Sequence, residues 1–277
     1  MNNNESIIAS VQNFREMGGI KAGERVIKQG KLFRSGSLTK LDDEAKHRFD
    51  KLGIDYIFDY RSVEEVTLSP DYTGSSEYFH LPAIGEMPGN SFIEKIKARN
   101  KGVIPADMHS SNPADMASLL NKVTSIPFVG MKIKKDFGKM YERMPFQNAA
   151  FAATFEKMTL GATILIHCQT GKDRTGVAAA LILLALGADE RTVIDDYMVS
   201  NRYRERENSE AIRQVYEITG SRRAVGIIKT IMINREAYII KALSAIKKVY
   251  RHIDDFFLNE YGVDKHRMDL WRYHYLE

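Results

Sequence analysis

The chain has 277 residues, 44% hydrophobic and 27% charged, with one cysteine and a formal charge of +4. These values exclude a disordered or collagen-like chain, a disulfide-stapled scaffold and a multi-thiolate zinc site. A charge this small excludes a nucleic-acid coat and leaves anionic substrates open.

The longest near-continuous apolar run, Val177 to Leu186, is about half of the roughly 20 residues a membrane span needs and reads as buried helix. The start, MNNNESIIASV, lacks the basic and apolar regions of a secretory signal. The expected location is cytoplasmic, or secreted if a signal has already been removed. Length predicts one or two domains, and the absence of repeats and low-complexity tracts favours a single α/β unit spanning 1–277 with an insertion.

Thr39 and Asp42 stand at capping-box spacing before Leu41, Ala45, Phe49 and Leu52, and Gly53 supplies a stop, so a short helix is predicted there. Ile54 to Phe58, rich in β-branched and aromatic residues, reads as a strand ending at Asp59, Tyr60 and Arg61. Ser62, with Glu65 three residues later, caps a following helical turn. Tyr78 to Ile84 reads as a second strand, interrupted by Pro82. Residues 85–130 carry most of the chain's prolines and are expected to form an irregular or partly helical insertion. Asp136 to Met158 shows helical spacing, and Ala162 to Ile166 reads as a buried strand.

That last strand runs into His167-Cys168-Gln169-Thr170-Gly171-Lys172-Asp173-Arg174-Thr175-Gly176 and then into an apolar helix. At a strand, tight loop, helix junction, unpaired amides and the positive end of the helix dipole converge on one point, which is a place for an anion. The donors, Lys172 and Arg174 favour the thiolate, the nucleophilic form of a cysteine, and Cys168 begins the loop. Arg174, six residues on, offers a planar fork to two oxygens of a phosphoryl group. Thr175 is placed to donate its hydroxyl to the sulfur, and His167 to order the loop. Gln169, Thr170, Gly171, Lys172, Asp173 and Arg174 are the expected phosphate binders.

A Walker A loop would need glycine and Ser or Thr where Ile166 and Asp173 stand, so nucleotide binding fails on two positions. The seven histidines are scattered, no metal-binding pair spacing appears, and no cofactor or metal is expected. Two competing uses of the loop are a catalytically silent phosphate-recognition module and a redox or sulfur-transfer protein. Neither a silent module's need for a nucleophile nor a redox protein's resolving cysteine is evident in the sequence.

The His-Cys-x5-Arg-Thr loop resembles the signature of the bacterial cysteine-dependent tyrosine and phosphoinositide phosphatases. Asn13 to Gly19, Leu32 to Gly36, Asp59 to Ser62 with Glu65, and Asp196 to Tyr203 look like that family's blocks in the family's order. The resemblance implies a protein tyrosine phosphatase-like α/β fold, with a mostly parallel central sheet flanked by helices and a helical lid at about 204–248. It implies hydrolysis of phosphate monoesters through a phosphocysteine, with broad specificity. The implied partners are a phosphorylated protein or a phosphoinositide, with transient contact at a membrane surface and no nucleic acid.

Arg202, Arg204, Arg206, Arg222 and Arg223 make the lid region basic, which suits a phosphorylated substrate; the plainer reading of any one of them is a solvated helix face. The single tryptophan, Trp271, belongs to no Trp-Pro-Asp acid loop. By resemblance, Asp173 supplies the general acid and then the base. Asp59 is the second candidate for that task, and its place beside Arg61 favours a supporting role instead, orienting Arg174. A lysine placed like Lys172 occurs in phosphatases acting on inositol lipids.

Overall fold

The computed structural model describes residues 10–83, 124–125 and 127–277. Among them a five-stranded sheet has the order β1-β4-β7-β5-β6, where β1 is Arg15–Glu16, β4 Leu32–Ser35, β5 Tyr56–Asp59, β6 Glu77–His80 and β7 Ile164–His167. Only β1 runs antiparallel; β4, β7, β5 and β6 are mutually parallel. A separate ribbon pairs β2 (Lys21–Ala22) with β3 (Arg25–Val26).

β7 is central and buried on both faces, which explains why its apolar residues run on without polar alternation. Side chains still alternate between the faces. Phe33, Ile57 and Leu165 pack with Ala45 and Phe49 of helix α1 (Asp43–Asp50). Leu32, Phe58, Ile164 and Ile166 enter the larger core on the opposite face. That core takes in α4 (Ala149–Met158), α5 (Arg174–Leu186), α9 (Glu236–Val249), α10 (Ile253–Tyr261) and α11 (Lys265–Tyr275). The expected α/β architecture, a mostly parallel sheet flanked by helices, is what the chain forms. Trp271 is fully buried in this core, donating its indole N–H to Thr159 Oγ1 at 3.0 Å.

Several boundaries differ from the sequence reading for local reasons. The first helix is capped by Asp42, whose carboxylate accepts from Ala45 N at 2.8 Å, and not by Thr39. β6 ends at His80, two residues before Pro82. The single helical stretch expected over 136–158 is two helices, α3 (Val129–Arg143) and α4, separated around Pro145, with Asn148 capping the second. Proline at that point removes a helical donor and clashes with the preceding turn. The insertion expected at 85–130 lies outside the described residues apart from 124–125 and 127–130, and Val129 already belongs to α3.

After α5 come α6 (Glu190–Tyr203), α7 (Glu205–Thr219) and α8 (Arg222–Met232). Val215, Ala224 and Ile228 form a small apolar cluster of their own, so α7 and α8 are a hairpin beside the main core. Most of the remainder of the 204–248 range, from Glu236 onward, is core: Tyr238, Ile239, Ala242, Leu243 and Ile246 of α9 are buried in it.

Candidate active site

Parallel pairing aligns the carboxyl ends of three strands. Ser35 of β4 and Asp59 of β5 both pair with His167 of β7, so the residues that follow each strand gather at one edge, where open α/β sheets place their ligands. Cys168 leaves β7 there, buried. Residues 168–173 form an irregular loop and α5 starts at Arg174. No backbone carbonyl among the described residues accepts from the amides of residues 169–173. Among the described residues the loop therefore presents a run of amides without backbone acceptors ahead of a helix N-terminus, the kind of arrangement that suits an anion.

The loop's tight curvature depends on Gly171. Its φ is +67°, and a Cβ there would stand 2.3 Å from the carbonyl oxygen of Ser35. Only glycine fits both the left-handed backbone and the close approach.

Arg174 is held by Glu65. Its Nη1 donates to Oε2 at 2.5 Å, its Nη2 to Oε1 at 2.8 Å, and Nη1 also reaches the Tyr60 carbonyl at 3.2 Å. Burial works to lower the guanidinium's pKa, but the charges of Cys168 and Glu65 outweigh it and the net shift is upward. Burial likewise opposes ionisation of Glu65, yet its bonds to Arg174 hold its pKa below the ordinary value. Glu65 also completes the predicted capping box: it accepts from Ser62 N at 2.7 Å while Ser62 Oγ accepts from Glu65 N at 3.2 Å. This short helix, α2 (Val63–Leu68), is thus anchored by the same carboxylate that aims the arginine.

The expectation that Asp59 orients Arg174 is corrected. Asp59 is fully buried and takes Arg61, with Nε at 3.0 and 2.9 Å from its two oxygens and Nη2 at 2.7 Å, and it also accepts from Tyr78 Oη at 2.6 Å. Its oxygens are committed away from Arg174. Arg61 also pairs with Asp71, and the His167 ring lies between the two acids, Nδ1 at 3.8 Å from Asp59 and Nε2 at 3.3 Å from Asp71. Burial lowers His167 to about 4, so it is neutral at neutral pH. One guanidinium cannot fully compensate two buried carboxylates. Burial and the charge of Asp59 push Asp71 up to about 7, while His167 and Arg61 hold Asp59 well below the carboxylate range against its own burial. Oxygen and nitrogen atoms of Asp59, Asp71 and His167 lie within 4.8 Å of one another, a grouping of metal-ligand type, and Arg61 already supplies its cation.

Asp173 sits at the helix N-cap position without capping; its side chain turns elsewhere. Lys172 Nζ donates to it at 2.7 Å and Tyr141 Oη at 2.5 Å, and Tyr141 shares a 2.7 Å hydrogen bond with Tyr197 Oη. Burial and the charge of Asp173 raise Tyr141 well above the ordinary tyrosine value, which keeps it a phenol donor. Lys172 is itself buried, which lowers its pKa against the pull of Asp173, and its ammonium lies 5.7 Å from the Phe137 ring centroid. Thr175 Oγ1 is buried with no hydrogen-bond partner among the described residues, so the expected donation to Cys168 is not made. Gln169 Oε1 is likewise unpartnered.

Of the basic residues expected in the lid, Arg202, Arg206, Arg222 and Arg223 are exposed. Arg204 is buried and donates from Nη1 to the Met232 carbonyl at 3.1 Å. By sequence Glu65 reads as a helix cap, and Tyr141 carries no signal of its role. Partners 109 and 32 positions away leave no local signal, although Glu65 does stand in a block that resembles the family.

Known proteins resemble this chain over most of its length. The model of a tyrosine phosphatase family matches residues 7–277. A putative tyrosine-protein phosphatase of Cupriavidus necator is 28% identical over 96% of this chain and 86% of its own length. The triple specificity protein phosphatase PtpB of Mycobacterium tuberculosis is 24% identical over 91% and 92%. A tyrosine-protein phosphatase of Nostoc commune is 24% identical over 62% of this chain and 49% of its own. With its free loop amides, its cysteine and its carboxylate-held arginine all inside a match of nearly full length, the chain belongs to the tyrosine phosphatase family.

Proposed function

We propose that the protein hydrolyses phosphate monoesters through a phosphocysteine intermediate, with Cys168 as nucleophile. The observation that carries this reading is the arrangement of the loop: Cys168 at one end, free amides along it, and at the other end Arg174 fixed in a bidentate grip by Glu65. The Cys168 sulfur attacks phosphorus in line, forming a P–S bond as the P–O bond to the leaving group breaks. Asp173 gives its proton to the departing oxygen. Water then attacks the phosphocysteine, Asp173 takes a proton from it, and the thiolate leaves as inorganic phosphate is released. Arg174 and the amides bind the equatorial oxygens, where charge is concentrated in the transition state. Thr175, buried and without a hydrogen-bond partner among the described residues, has a hydroxyl that can turn toward the sulfur when it becomes the leaving group. The thiolate and the guanidinium supply nucleophile and charge, so no metal is assigned a step.

Phosphotyrosine is the first substrate class, supported by the family. Breadth beyond phosphotyrosine is in keeping with the triple specificity in the name of the mycobacterial relative, and the reading that it reaches phosphoinositides, with phosphoserine or phosphothreonine, rests on Lys172, which adds positive charge within the loop. Cys168→Ser is expected to abolish turnover of a phosphotyrosine peptide in the presence of a chelator; retained wild-type turnover would overturn the mechanism. Asp173→Asn is expected to slow release of a poor leaving group by about 10²–10⁴-fold, the usual contribution of general acid catalysis. An unchanged rate and pH dependence would place the acid elsewhere.

A further inference from the structure

A loop that cradles an anion with its amides must turn its carbonyls outward, and each outward carbonyl needs a donor. Here Ser37 N donates to Gln169 O at 3.2 Å, and the Asn13 side-chain amide donates to Gly171 O at 2.7 Å and to Thr170 O at 3.3 Å. Arg34 Nη2 adds a second donor to Gly171 O at 3.2 Å. A trans peptide is planar, with its C=O and N–H on opposite sides. The chain has no cis peptide among the described residues, so holding the carbonyls of Gln169, Thr170 and Gly171 on the outside turns the amides of Thr170, Gly171 and Lys172 to the inside.

Asn13 itself has a left-handed backbone. Its φ of +58° puts a non-glycine residue in the left-handed region, at a cost the surroundings must meet. Arg15 donates to both its side-chain oxygen and its carbonyl. Arg15 in turn reaches the Asp196 carbonyl at 3.0 Å and Ser200 Oγ at 3.2 Å, and Arg34 pairs with Asp196. All four of Asn13, Arg15, Arg34 and Asp196 are buried. With the Asn13 oxygen fixed by Arg15, its NH2 has one direction left, toward the loop.

We propose that Asn13, backed by Arg15, Arg34 and Asp196, is the positioning residue of the phosphate loop: it aims the Gly171 and Lys172 amides at the bound anion. This rests on the reading of residues 168–174 as an anion loop, and it uses readouts that need no turnover. Asn13→Gly is the decisive variant, because glycine accepts the left-handed backbone without penalty and removes the donor to the loop together with the oxygen that accepts from Arg15.

Tungstate is the probe. Its affinity, measured by calorimetry, is expected to fall about tenfold, the loss of one hydrogen bond that fixes charge-binding amides. Because Cys168 is the only cysteine, iodoacetamide alkylation reports that site alone, and a given tungstate concentration is expected to protect it less in the variant than in wild type. The melting temperature is expected to fall modestly, since Thr170 O and a buried Arg15 N–H each lose a partner, and the affinity is therefore compared below both melting temperatures. Tungstate affinity within twofold of wild type in the folded variant would overturn the proposal, whatever happens to stability. If Asn13→Gly does not fold, Asn13→Ala carries the same comparison, since alanine also lacks the donor and adds no charge, and its affinity is read at a temperature where the variant is folded. Wild-type protein that binds tungstate but hydrolyses no phosphate ester would sink the phosphatase reading and leave this one standing.

Discussion

The chemistry of single residues here is set by partners that compete for them. Arg174 at a helix start would sample many rotamers in water, and the bidentate pair with Glu65 reduces these to one before any substrate binds. Glu65→Gln keeps the shape but removes the charge, so Arg174 loses a charge-assisted bond worth about 1.5–3 kcal/mol. The expected result is a kcat/KM on an aryl phosphate lowered about 10- to 100-fold, with the protein still folded, read by steady-state kinetics beside a circular dichroism melt. Asp59 shows the opposite case, a carboxylate so fully occupied by Arg61 and Tyr78 that it has nothing to offer a substrate. Strand-end position is legible in the sequence; which of two nearby acids reaches a given arginine is not, because that is decided by χ angles and burial.

Between elements, the loop is gripped from several directions. α3 contributes Tyr141 and α6 contributes Tyr197, whose hydroxyls pair with each other before Tyr141 reaches Asp173. Tyr141→Phe removes the donor that, with Lys172, fixes the Asp173 oxygens. It is expected to lower kcat about tenfold with KM little changed, since one hydrogen bond's worth of positioning is lost and the phosphate contacts remain. Comparable losses in kcat and KM would show instead that α3 supports the whole loop. The helices themselves follow from local rules where those rules are strong: the capping box at Ser62 and Glu65 forms as read, and Asp42 caps α1. The break between α3 and α4 comes from Pro145, an interruption that apolar periodicity alone does not register.

For the whole molecule, the buried cluster of Asp59, Asp71, Arg61 and His167 behind the loop couples proton uptake to folding. Asp71 is raised from 3.8 to about 7, so its protonation stabilises the fold fully below 3.8, and that contribution is lost as pH rises through 7. His167 is lowered from 6.5 to about 4, so its contribution is present above 6.5 and lost as pH falls through 4. Between about 4 and 6.5 the two slopes oppose each other and largely cancel. Asp71→Asn removes only the first. Relative to wild type, its melting temperature is expected to rise with pH across that window, measured at pH 4.5, 5.5 and 6.5; a constant difference would show that Asp71 does not titrate there. By itself the sequence determined the α/β alternation, the buried central strand, the loop with its cysteine and arginine, and the resemblance to a phosphatase family, because each is carried by contiguous residues whose spacing has one physical reading. Only the tertiary structure decided that Glu65 and not Asp59 holds Arg174, that Tyr141 meets Asp173, and that Asn13 caps the loop's outward carbonyls. Those pairings join positions from 32 to 158 residues apart, and they exist only after parallel strand register has brought three strand ends to one edge.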